Sequence, residues 1–169
     1  MNKHVFIING SGGVGKDTFV NFVSHIVPTK NVSSVDPIKT LAKGIGWRGS
    51  KEERDRKFLS DLKDLVTEYN DYPMEYLKVQ HMIFMDNDQE QIMFIHIREP
   101  KEIKRAVELF SAKTVLISNC NVEGISSNHA DKNVYDYDYD IHIHNDGSLD
   151  MLKEMASMFC EVQLSSHLN

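Results

Sequence analysis

The chain has 169 residues, of which 41% are hydrophobic and 26% charged, and a formal net charge of −6. That length suits one domain with a real apolar core, and the acidic balance argues against nucleic acid as a partner, because a phosphate backbone recruits basic surface. Cys120 and Cys160 show neither metal spacing nor a disulfide framework, and no apolar run nears the ~20 residues of a membrane span, so a cytoplasmic protein is expected.

The first strand-like run, His4–Asn9, leads into "GSGGVGKDT" and then an amphipathic stretch with Phe19, Phe22, Val23 and Ile26 on one stripe. Further strand-like runs follow at Asn31–Val35, Gln91–Ile97, Thr114–Ser118 and Asp140–His144. Several are near-continuous in Ile, Val and Phe, as in strands buried on both faces of a parallel sheet. Asp36-Pro37 and Glu99-Pro100 each read as an N-cap followed by a first-turn proline. Helical stripes run through Phe58, Leu62, Leu65, Val66 and Tyr69, through Ile103, Val107 and Phe110, and through Leu149, Leu152, Ala156 and Phe159. The stretch from Lys51 to Met85 reads as a helical insert between the second and third strands. Alternating strands and helices predict an α/β fold with right-handed crossovers. Trp47, Met151, Met155 and Met158 read as core or gap filling.

The glycine loop carries the chemistry. Gly10, Gly12, Gly13 and Gly15, with Ser11 and Val14 between them, let the backbone turn tightly and aim N–H groups at an anion. The helix that begins near Lys16 adds its positive end, and Lys16 reaches the β- and γ-phosphates as a point charge. Asp17 stands where Ser or Thr usually ligates Mg²⁺. A carboxylate is also a hard oxygen ligand, directly or through water, although a first-turn acid favoured by the helix dipole is the plainer reading. Thr18 is placed to bond an α-phosphate.

This loop resembles that of the phage and bacterial deoxynucleoside monophosphate kinases, in the P-loop nucleoside and nucleotide kinase group, where G-K-D-T recurs. "SSVDPIKTLAKGIGW", "IHIREPKEIKRA" and "YDIHIHNDGSLDMLKEMA" are similar to further segments of that family, in the same order. The resemblance implies a three-layer P-loop NTPase fold with a five-stranded parallel sheet in the order 2-3-1-4-5 and helices on both faces. It implies transfer of the γ-phosphoryl of ATP, with Mg²⁺, to a nucleoside monophosphate, a deoxynucleotide by the family's habit. On this reading residues 1–169 form one kinase domain, with a helical acceptor-binding insert at about 37–90 and a lid-like segment at about 119–139.

The resemblance places Asp36 and Lys39 on the acceptor side, with Arg98 at the end of strand three. All three also lie where open α/β sheets bind ligands, beyond the carboxyl ends of strands. Arg98 offers a fork suited to a monophosphate. Simple helix capping for Asp36 and an ion pair with Glu99 for Arg98 remain open. Arg54 and Arg56 in "KEERDRKF" would reach an acceptor phosphate from above, or form a solvated helix face. Asn145 and Gly147 mark the loop where this kinase group lays adenine against backbone; a plain tight turn is the alternative. Catalytic roles fall on Lys16, Arg98 and Asp36, cofactor contacts on Gly10 to Thr18 with Asn145 and Gly147, and metal ligation on Asp17.

One departure stands out. Kinases of this group carry lid arginines that neutralise charge on the transferred phosphoryl. Here "NCNVEGISSNHADKNVYDYDYD", Asn119 to Asp140, contains His129 and Lys132 but no arginine. A nucleotide-binding regulatory domain with little turnover is therefore the competing reading, and a P-loop kinase for a non-nucleotide metabolite a third. His142 and His144 share a strand face but lack a third metal ligand at sensible spacing. "YDYDYD" reads as alternation with a wet acidic face. The expected partner is a small-molecule phosphate acceptor, with no nucleic acid and no membrane, and a homodimer is the assembly to test.

Overall fold

In the computed structural model, which describes residues 2–123 and 133–165, the strand-like runs build one parallel sheet. Its strands are β1 (His4–Asn9), β2 (Thr29–Ser33), β3 (Ile92–His96), β4 (Lys113–Ser118) and β5 (Ile141–His144), in the order β2-β3-β1-β4-β5. β1 is central: Ile8 lies opposite His96 of β3 on one edge and Val115 of β4 on the other. Because side chains alternate across a strand, each strand feeds two cores. On one face Val5, Ile7, Met93 and Ile95 pack with residues of α4 (Tyr72–Asp86) and α5 (Pro100–Phe110). On the other, Phe6, Ile8 and Phe94 pack with α1 (Lys16–Ile26) and the last helix. α2 (Asp36–Gly44) and α3 (Glu53–Asn70) precede α4, and α6 (Cys120–Glu123), a 3-10 turn (Asn133–Tyr135) and α7 (Leu149–Ser165) complete the described elements. The sheet order and the helix layers are those that the family resemblance implies.

The boundaries hold surprises. β2 ends at Ser33 because Val35 already has helical backbone and caps α2. Asp36 is thus the first helical residue and not the N-cap: its carboxylate accepts the Ser33 N–H at 2.7 Å and closes the turn backwards. Glu99 does occupy the N-cap of α5, with Pro100 next, but its side chain makes no capping bond. The helical stretch between Lys51 and Met85 is two helices, broken at Asp71, which has a left-handed φ of 55°. Asp71 accepts from the Arg105 guanidinium of α5, and Lys63 of α3 pairs with Glu102 of α5 at 2.8 Å.

The stripe read on α3 is not core: Leu65 and Tyr69 are exposed and α3 has no buried residue. Met151 and Met158 likewise lie on the outer side of α7, while Leu152, Ala156 and Phe159 of that helix are buried. In "YDYDYD" Asp136 and Asp138 face water, as read, but the Asp140 carboxylate accepts the Thr114 N–H at 2.7 Å and its hydroxyl at 2.8 Å, and the tyrosines turn progressively inward, from exposed Tyr135 to buried Tyr139. Among the described residues no helix is long and apolar enough to cross a membrane.

Phe159 anchors α7 to the sheet. Its ring lies 4.8 Å from that of Phe6, 5.4 Å from Phe19 and 5.9 Å from Phe94. Replacing a buried Phe by Ala leaves a cavity among these rings, so Phe159→Ala should cost about 3–5 kcal/mol, read as a lowered midpoint in urea unfolding.

Candidate phosphate-binding site

β1 must leave the sheet sharply to deliver a loop to α1, and two glycines make this sterically possible. A Cβ on Gly10 would meet the Ile117 carbonyl oxygen of β4 at 2.2 Å, and its φ is +149°. Gly15, at φ +97°, forms the N-cap of α1, where a Cβ would lie 2.5 Å from Asn145 Nδ2. Within this turn Ser11 and Val14 are buried and Gly12 and Gly13 are exposed. Lys16 begins α1 and folds back across the loop. Its ammonium donates to the carbonyls of Gly10 at 2.5 Å and Ser11 at 2.7 Å. Asp17 follows, exposed in the first turn of the helix, with half-buried Thr18 beside it.

Asn145 is close to the loop and clamps it. Its Nδ2 donates to the Val14 carbonyl at 2.9 Å, tying the β5–α7 turn to the glycine loop. The next residue, Asp146, accepts the Cys120 N–H at 2.7 Å, so that turn also reaches the start of α6. This bond, first among the causes, holds the Asp146 carboxyl below the ordinary range. At Gly147 a Cβ would meet Met151 Sδ at 2.4 Å, the far end of an exposed and flexible side chain that can move aside.

On the other side of β1, His96 ends β3 half-buried, with its Nε2 2.9 Å from Asn31 Oδ1 of β2. Burial lowers its pKa, while Asp17 and Asp36 pull it up and Lys16 and Lys39 push it down. Residues from the glycine loop and from α2 therefore act on one imidazole. The sequence signal that marks His96 is its place at the end of the strand next to β1.

Arg98, exposed, follows two residues later, and its carbonyl accepts from Asn9 Nδ2 at 3.2 Å. The side chain of Arg54 of α3 is 89% exposed and pairs with Asp55. Arg56 lies on the same exposed helix, and His129 and Lys132 lie outside the described residues. His142 and His144 are exposed on β5, and His144 Nδ1 lies 2.8 Å from Ser118 Oγ. Among the described residues no three His, Cys, Asp or Glu side chains are grouped to hold a metal.

A central parallel strand, a glycine turn at its carboxyl end and a lysine at the start of the following helix define a P-loop fold. Among solved structures, the chain is similar to shikimate kinase from Aquifex aeolicus vf5, with a TM-score of 0.55 and 12% identity over 96% of this chain and 99% of that one. It is equally similar in shape to the protein TT1252 from Thermus thermophilus, with a TM-score of 0.55 and 14% identity over 96% and 99% of the two chains. No protein-family profile matches the sequence, and no curated protein does either. The chain has the P-loop kinase fold.

Two outcomes follow. Gly15→Ala adds a methyl group both at a left-handed φ and against Asn145; the companion change Asn145→Ala removes only the second problem. Because Asn145→Ala also gives up the bond to the Val14 carbonyl, the comparison is made within that background: Gly15→Ala should lower the melting temperature less there than in wild type, but still lower it, as read by calorimetry. For His96, the folded pKa lies below the ordinary 6.5, so as pH falls through 6.5 the unfolded chain takes up a proton that the folded chain refuses. Wild-type stability should therefore fall below pH 6.5, and His96→Gln should flatten that slope in unfolding measured from pH 7.5 to 5.

Proposed function

We propose that this protein is an ATP-dependent phosphotransferase acting on a nucleoside monophosphate, a deoxynucleotide by its sequence resemblance. The observation that carries the reading is that the glycine loop with Lys16, at the end of β1, and the Ser33–Asp36 turn, at the end of β2, open on the same end of one parallel sheet, with His96 of β3 between them. A donor phosphate side and an acceptor side that share one strand end are what transfer between two bound phosphates requires. The P-loop kinase fold supports the same class of reaction, and the neighbour named shikimate kinase supports a small-molecule acceptor. At 12% identity it lends no substrate.

On this reading the loop amides and Lys16 hold the β- and γ-phosphates. Lys16 exchanges its bonds to the Gly10 and Ser11 carbonyls for phosphate oxygens, a charge-assisted replacement that leaves the ammonium solvated by oxygen throughout. Arg98 and Lys39 bind the acceptor phosphate. Such an acceptor is already anionic and needs no general base, so Asp36 orients and catalysis is positioning and electrostatics. Asp36 is well placed to do so, because its bond to the Ser33 N–H fixes the carboxylate at the end of β2.

Mg²⁺ fits the residues present in one particular way. Asp17 is a single exposed carboxylate, and the described residues offer no closed cage. Mg²⁺ typically binds through one or two carboxylates plus phosphates and retained waters. Asp17 would therefore hold it together with the nucleotide, and the ion would supply charge neutralisation at the phosphates.

The arginine-free stretch from Asn119 to Asp140 favours the second reading, a nucleotide-binding domain with little turnover. Incubation with Mg-ATP and a panel of nucleoside and deoxynucleoside monophosphates, plus hydroxylated and phosphorylated metabolites, separates the readings through ADP formation. Turnover on a nucleotide supports the first, turnover on another metabolite alone redirects the acceptor, and ATP-dependent thermal stabilisation without turnover supports the second. Lys16→Ala should lower ATP affinity at least tenfold; unchanged affinity would remove the phosphate-loop reading. Asp17→Asn should weaken ATP binding more with Mg²⁺ than without it, and equal losses would leave Asp17 a helix-start acid.

A further inference from the structure

Asn9 is the last residue of β1 and the first polar side chain after its apolar run, yet it is only 1% exposed. Every hydrogen-bonding group of its amide has a partner. Oδ1 accepts the Gly10 N–H at 2.8 Å; Nδ2 donates to the Arg98 carbonyl at 3.2 Å and to Tyr139 Oη at 2.8 Å. Tyr139, 5% exposed, donates in turn to the Val134 carbonyl at 2.8 Å. The orientation admits no flip, because a turned amide would set N–H against N–H at Gly10 and oxygen against oxygen at Arg98.

This amide sits at the end of β1, one residue past its last pairing with β3 at Ile8 and His96, in the gap where that ladder has given out. It bridges that gap from the first glycine of the loop to the backbone of Arg98. We propose that Asn9 is a positioning residue that sets the distance between the phosphate loop and the Arg98 side of the site, and that the Tyr139 hydroxyl locks its amide in the working orientation. The proposal rests on reading Gly10–Lys16 as the donor side and Arg98 as the acceptor side. A purely structural role would be met by any buried polar pair; here both ends of the bridge are backbone atoms adjoining residues assigned to phosphate. Burial raises the Tyr139 phenol above its ordinary pKa, so it remains a donor throughout the working pH range.

Tyr139→Phe tests this at constant shape, since the ring keeps its contact with Tyr137 at 5.2 Å between centroids. The first readout needs no activity. Amide hydrogen exchange at Gly10 should accelerate at least tenfold, while Phe6 and Ile7 of the same strand keep their rates. In wild type, ATP alone should shift the Glu99 amide resonance, next to the Arg98 carbonyl; in Tyr139→Phe that response should be lost although ATP still binds within threefold of wild type. If the panel above identifies an acceptor, kcat should fall about tenfold with the KM for ATP little changed. Asn9→Asp, which keeps the acceptor for Gly10 and loses both donors, should fall further. Unchanged Gly10 exchange, or an intact Glu99 response in the variant, overturns the proposal. Failure of wild type to bind ATP or turn over any acceptor instead overturns the functional reading, and the Gly10 exchange rate then decides the proposal by itself.

Discussion

The two-sided burial of β1 is the constraint on which the rest of the structure depends. Paired on both edges and apolar on both faces, that strand offers no place for chemistry along its length. Polar groups must collect beyond its carboxyl end, where Asn9 and the glycine turn begin. Parallel neighbours aim their own carboxyl ends the same way, so His96 of β3 and Ser33 of β2 arrive at one rim. The crevice outside the strand ends is a consequence of sheet packing before it is a binding site.

What turns the rim into a defined site is backbone held by side-chain amides. Asn145 grips the loop at Val14 from the β5 side, and Asn9 grips it at Gly10 from beneath. Between these two points the glycines have freedom that the flanking residues do not. The loop is thus fixed at its shoulders and open at Gly12 and Gly13, which are exposed. Such an arrangement presents backbone N–H groups to an anion with little reorganisation.

The sheet was readable because its signal is local: Ile, Val and Phe runs between turn residues gave the strands to within two residues, and the glycine loop announces itself by spacing. Other features were hidden because they depend on partners far along the chain. Asn9 and Tyr139 are 130 positions apart, and nothing in "YDYDYD" says that its third tyrosine reaches the base of the phosphate loop. His96 was not singled out by the sequence, since its surroundings come from β2, α1 and α2. The break at Asp71 left a trace in Pro73 two residues on, but the left-handed turn is selected together with the Arg105 contact. The apolar stripe on α3 misled because periodicity reports amphipathicity and not what covers it.

The docking of α3 and α4 on α5 has a consequence for how the two halves of the molecule respond to solvent. The Asn9 and Asn145 bonds at the shoulders of the glycine loop are neutral, whereas the Lys63–Glu102 and Asp71–Arg105 pairs that join α3 and the α3–α4 break to α5 are ionic. Neutral contacts ignore electrolyte, and partly exposed ion pairs do not. Rising ionic strength should therefore loosen α3 on α5 first, while α4, held by Met74, Leu77 and Phe84 in the core, and the shoulders of the loop keep their places, which makes salt a means of addressing one helix without disturbing the site.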